Sequence, residues 1–266
     1  MKHFGTIRLA GARRIQLLAF LKWLVWMLPL LAYAQSVALP TLWLVLIAST
    51  LAWGALRAWE MSRRRQFIRE SRFPSHLVSK LRAQYPQLSA GDADLVLRGL
   101  RQFFVAYLRS GRQFVAMPSQ VVDLAWHEFI LHTHAYQVWC EAAFGKLLHH
   151  TPAEVLGRDP KRNDGLRRTW YWACKEESIN PRQPSRLPLL FALDKKFHIP
   201  GGFSYVPDCR DINRQSGSDA YCGTSFGGGD GSGSPGDGDG FGGSESSGGD
   251  GGTDGGGCGG GCGGGD

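Results

Sequence analysis

Between Met117 and Pro152 the chain reads MPSQVVDLAWHEFILHTHAYQVWCEAAFGKLLHHTP. Five of the chain's eight histidines lie in these residues, so acid–base or metal chemistry is sought here first. His127-Glu128 invites comparison with the HExxH zinc motif, whose histidines stand at i and i+4. The next histidine is His132, at i+5, which splays the two side chains by about 140° on a helix. A zincin helix is excluded on that register. Asp123 and His127, at i and i+4, share a face and suit one divalent metal ion. His134 lies about 10.5 Å further along a helix axis, too far to join the same ion directly. A site would therefore need ligands from outside the run: His149, His150 or Cys174. The candidate catalytic residues are Asp123, His127 and His134. The candidate metal ligands are Asp123, His127, His149 and His150. The competing reading is a half-buried helix whose histidines only form hydrogen bonds.

The element that must position these groups reads as one helix, opened by Pro118-Ser119 and running to Phe144, with Gly145 as a break and Pro152 as a stop. At about 100° per residue, Val122, Ala125, Trp126, Phe129, Thr133, Tyr136 and Cys140 form an apolar stripe facing the core. Asp123, His127, His134 and Glu141 form a second, polar stripe. Other helices surround it. Pro74-Ser75 opens one reaching Tyr85. Ser89 N-caps another, with Asp92 three residues on, carrying Leu95, Leu97, Leu100, Phe103, Phe104, Tyr107 and Leu108 to a stop at Gly111. Asn163-Asp164 caps a helix through Ser178, and a short apolar segment spans Leu187–Phe197. Alternating strand patterns are almost absent. The expected fold is all-α: a two-helix transmembrane hairpin, a soluble domain of four or five helices over 66–210, and a disordered glycine-rich tail over 223–266.

The hairpin comes from two apolar runs within 15–58. Val37–Leu56 is twenty residues without a charge, about 30 Å of helix and the thickness of the hydrocarbon core. Ile15–Tyr33 holds Gln16, Lys22 and Pro29. It reads as a second span with Lys22 snorkelling to the headgroups, or as a signal peptide ending at Ala32-Tyr33-Ala34. Residues 1–14 form a basic flank with Arg8, Arg13 and Arg14. Arg57, Arg63, Arg64, Arg65, Arg69 and Arg72 follow the second run, and Ala34-Gln35-Ser36 between the runs is uncharged. The positive-inside rule then puts both flanks and the soluble domain in the cytosol, where thiols stay reduced.

Of the 44 residues from Gly223 to Asp266, 24 are glycine and seven are acids, with no lysine or arginine. The whole chain is +7, so residues 1–222 carry +14. Much of that excess flanks the apolar runs, where it serves membrane orientation; it is not a nucleic-acid footprint. The tail lacks the apolar residues that offset ordering entropy. Its Cys258 and Cys262 are too few for a structural zinc site, and its aspartates lack the closing glutamate of a calcium loop.

The run Val122-Asp123-x-x-Trp126-His127-x-x-Ile130-Leu131-x-Thr133-x-x-Tyr136-x-x-x-Cys140, followed by Phe144-Gly145 and His149-His150-x-Pro152, resembles the glycine-rich-domain-protein-like family. The later Leu187-Pro188-Leu189-Leu190-Phe191-Ala192-Leu193-Asp194 and Gly201-Gly202-Phe203 look like its bacterial membrane-anchored branch. The likeness spans roughly 75–210. It implies a helical domain on the bacterial inner membrane and brings no activity with it. The plant-type pattern has a second histidine two after the first, and Phe129 stands there. Three functions follow for testing: a membrane-anchored module with the bilayer and a protein as partners, an enzyme using the Asp123/His127 face, and a metal-handling protein fed by Cys258 and Cys262.

Overall fold

A computed structural model describes residues 6–35, 38–150, 160–208 and 221–226. The architecture is helical. Two long helices, α1 (Thr6–Ala34) and α2 (Leu39–Glu70), pack side by side. Both are long and apolar enough to cross a membrane, over Ile15–Ala34 and from Leu39 onward. Their outer faces leave Trp23, Trp26, Trp43 and Leu51 exposed, as lipid-facing side chains would be. Pro40 sits in the first turn of α2, where a missing N–H costs little.

The apolar run ends near Leu56, but the helix does not. The arginine-rich stretch that follows contains no breaker, and α2 continues unbroken to Glu70, capped by Ser71 ahead of Pro74. No linker therefore separates span from domain at residue 66. The last turns of α2 are part of the core: Ile68 is fully buried. Two buried charges fix the junction. Glu60 pairs with Arg64 at 2.8 Å and with Lys22 of α1, so Lys22 meets a carboxylate instead of snorkelling alone.

The domain adds α3 (His76–Gln84), α4 (Ala90–Arg109), α5 (Gln120–Ile130), α6 (Thr133–Phe144), α7 (Pro160–Glu176) and α8 (Leu189–Lys196); α4 and α6 pack on α2, and α3, α5, α7 and α8 pack on α4. Ser89 and Asp92 close a full capping box on α4. In α7 the helix already includes Pro160, so Asn163 and Asp164 lie inside it and not at its cap; proline's fixed φ suits such a start. The core centres on α4, whose Phe103 and Phe104 meet Trp126, Trp139 and Phe144 at ring-centroid distances of 4.7–5.9 Å.

The expected single helix from Pro118 to Phe144 is two. It breaks at Leu131-His132, with no proline or glycine to mark it. The cause is tertiary. Trp126 Nε1 donates to the Tyr136 hydroxyl at 3.0 Å. On a straight helix ten residues separate by about 15 Å of rise, so the bond forms only if the chain folds back. The corner rotates α6. Tyr136, Trp139, Cys140 and Phe144 face the core, whereas Thr133, expected on the apolar stripe, is exposed. α6 ends at Gly145, in the left-handed region at φ 77°. A Cβ there would stand 3.2 Å from the Arg64 guanidinium, which donates to the Ala142 and Glu141 carbonyls at 2.9 and 3.2 Å. An arginine of α2 thus caps α6.

The packed domain also reaches into the expected tail. Tyr205–Val206 pairs in parallel with Tyr221–Cys222, and Gly223–Phe226 forms a single helical turn, α9. Phe226 is 3% exposed, against Trp170, Phe191 and Tyr205. Gly223 lies so close to Trp170 that a Cβ would stand 2.3 Å from the ring. Cys222 is disulfide-bonded, where reduced cysteines were expected. The tail beyond 226, with Cys258 and Cys262, lies outside the described residues. Phe226→Ala should cost about 3–5 kcal/mol, the range for a buried aromatic truncation. Thermal unfolding of the full chain checks this, against a truncation after Gly229 that leaves the transition within a few degrees of the parent.

Candidate functional site

The start of α5 is set by a residue far away in sequence. Asp194, at the end of α8, is 3% exposed and accepts four hydrogen bonds. Its Oδ1 takes the Ser119 hydroxyl at 2.7 Å and Val121 N–H at 3.2 Å. Its Oδ2 takes Gln120 N–H at 2.8 Å and Phe203 N–H at 2.9 Å. The otherwise unpaired N–H groups of the first turn therefore meet a carboxylate, which the positive end of the helix dipole also favours. Gly202 lets the 201–203 turn come this near: a Cβ there would stand 2.8 Å from Asp194 Cβ.

One turn further on, α5 presents Asp123 and His127. His127 Nδ1–H donates to the Asp123 backbone carbonyl at 2.9 Å, and the same nitrogen lies 3.4 Å from Asp123 Oδ2. The third member is His150, whose Nε2 stands 2.9 Å from Asp123 Oδ1. Its ring lies 4.2 Å from that of His127 and meets Trp126 edge-on at 4.4 Å. The chain reaches this point because the Tyr136 hydroxyl, having accepted from Trp126, donates to the Leu148 carbonyl at 2.6 Å. The relay fixes the backbone two residues before His150. Burial keeps the Tyr136 phenol protonated, far above its ordinary range.

Of the sequence candidates, Asp123, His127 and His150 converge, with one ligand atom from each inside a 4.8 Å group. His150 is nearly enclosed at 10% exposure, and His127 is open at 46%. His149 is exposed beside them and outside the group. His134 lies past the corner, exposed in the first turn of α6, so the bend removes it from the Asp123 face. Cys174 is a core thiol, pushed up to about 12 by burial and so unsuited to ligation as thiolate. Cys140 is raised to about 11 in the same way.

Sequence reasoning missed a second imidazole pair. His76 of α3 lies against His132 at the corner, ring centroids 3.8 Å apart and planes tilted by 47°. His76 Nε2 is buried without a hydrogen-bond partner, and burial first, then His132, lowers its pKa. No spacing signal joins residues 56 positions apart. An open polar cleft lined by Arg182, Gln183, Pro184, Asp208 and Thr224 shares no residue with either histidine group.

These features define a helical domain built directly onto a pair of membrane-length helices, with an aspartate–histidine cluster on its surface. The chain belongs to the UCP032817-like family, whose profile matches residues 63–226. That match starts inside α2 and ends at Phe226, the two limits at which the packed domain departs from the composition boundaries. No curated protein and no solved structure matches the chain.

Trp126 and His127 are neighbours with opposite duties. Trp126 is buried and starts the relay to Leu148, so Trp126→Ala should cost about 3–5 kcal/mol. His127 is half-exposed, so His127→Ala should cost under about 1 kcal/mol. Urea denaturation of the detergent-solubilised protein measures both; equal losses would make His127 a structural residue only.

Proposed function

We propose that this chain is a membrane-anchored interaction module of the bacterial inner membrane. Its helical domain stands on the cytosolic side and offers the α5 face to a protein partner. The observation that carries the reading is the continuity of α2. One helix runs from the apolar span into the domain core, so the domain is held rigidly against the bilayer surface. A freely tethered enzyme needs no such coupling, whereas a module that must meet a partner at a fixed height does. The tail beyond Phe226 has the composition of a flexible spacer. The motif likeness to glycine-rich domain proteins supports a domain of this kind and supplies no reaction.

The cytosolic side rests on charge. Six arginines follow Leu56, and the link between the apolar runs is neutral. The disulfide at Cys222 pulls the other way, since cytosolic thiols are normally reduced. The charge asymmetry is the heavier of the two, because orientation is set by the charges beside the spans. The bilayer is then the first partner and a protein the second, with no role for nucleic acid.

Alkaline carbonate should leave the chain in the membrane pellet. A phosphatase fused after Asp266 should be inactive and a fluorescent protein at the same position bright. Strong phosphatase activity would place the domain outside and overturn the orientation.

A further inference from the structure

We propose that Asp123, His127 and His150 form a binding site for a divalent transition-metal ion of the zinc class. The ligand set is two imidazoles and one carboxylate, which suits borderline cations and leaves positions open for water. The spacing fits. Two ligands at about 2.0–2.1 Å from a tetrahedral ion stand about 3.3 Å apart. Here Asp123 Oδ1 and His150 Nε2 are 2.9 Å apart, and Asp123 Oδ2 and His127 Nδ1 are 3.4 Å apart. Small side-chain turns therefore make room for an ion without moving the backbone.

Three features favour a metal over a bare hydrogen-bonded cluster. Among the described residues no lysine or arginine is ion-paired with Asp123; both carboxylate oxygens face imidazoles. His127 Nδ1 already lies beside the Asp123 carboxylate, so moving its ring proton to Nε2 frees the Nδ1 lone pair for the ion. Its half-exposed ring can turn about Cβ–Cγ to present either nitrogen. The supports are rigid as well: Asp194 holds the start of α5, and the Tyr136–Leu148 bond holds the approach to His150. Binding moves one proton on each ring: that of His127 shifts from Nδ1 to Nε2. The His150 proton shared with Asp123 shifts from Nε2 to Nδ1, so the ring ligates as a neutral imidazole. His150 forms the enclosed wall and His127 the solvent side, so the open coordination positions face outward.

The test uses the full chain in detergent, stripped with chelator and titrated calorimetrically with Zn²⁺, with Co²⁺ as an optical probe. The cysteines of the tail are a rival site, so the reference protein is the Cys258→Ser/Cys262→Ser variant. It should bind one equivalent and melt at a higher temperature when loaded. In that background Asp123→Asn and His150→Ala should weaken Zn²⁺ binding at least tenfold and abolish the thermal shift, while His134→Ala should leave both unchanged. His127→Gln, a surface change, gives the same test where the His150 variant is poorly folded. Loss of the equivalent with the cysteine pair, or undiminished binding in Asp123→Asn and His127→Gln, overturns the site.

Discussion

Asp194 is a carboxylate removed from water, and a buried charge of this kind is tolerated only when it is fully hydrogen-bonded. Four donors meet that requirement: one hydroxyl and three backbone N–H groups from two separate segments. Everything on α5 depends on this contact. It sets where the helix begins, and hence the azimuth at which Trp126 enters the core and Asp123 and His127 leave it. The Trp126–Tyr136–Leu148 relay then carries the alignment round the corner to His150. The site is thus assembled by two polar anchors on an aromatic core, and not by any local run of histidines.

The same economy governs the junction with the two membrane-length helices. Arg64 answers Glu60 within α2 and the open carbonyls of α6 beyond it, and Gly145 keeps the space its guanidinium needs. Arg69 and Arg109 both pair with Glu176 of α7, and the Trp139 indole donates to Ser71 at 2.9 Å. A tilt of α2 would be felt in α6 and α7 together. The arginines after the apolar run of α2 are therefore more than a charge cluster: Arg64 and Arg69 are structural parts of the domain.

Much of this was legible in the sequence. Helical periodicity and the Ser89–Asp92 box placed the early helices, and uninterrupted apolar length marked the membrane-length segments. The face shared by Asp123 and His127 followed from i, i+4 spacing. What could not be read arises from contacts between distant residues. The corner at Leu131-His132 has no local marker because a tryptophan–tyrosine bond makes it. It carries His134 away and turns Thr133 outward. The choice of His150 over His149 depends on which residue Leu148 delivers to Asp123. Asp194 and Gly202 were quoted only as parts of a motif, since a cap supplied across more than seventy residues has no spacing signature. Phe226 was hidden by the glycines around it: composition is an average, and one buried ring outweighs its neighbours.

The measurement that tests this account most directly is the stability of Asp194→Ala, read by urea denaturation of the full chain together with the side-chain NMR signals of His127 and His150. Removing the carboxylate strands several buried donors at about 1–3 kcal/mol each. The account predicts a loss well beyond that of an ordinary surface change, with both imidazole signals shifted although neither ring touches residue 194. A variant as stable as the parent, or one destabilised with both imidazole signals unmoved, would contradict the claim that Asp194 positions the site.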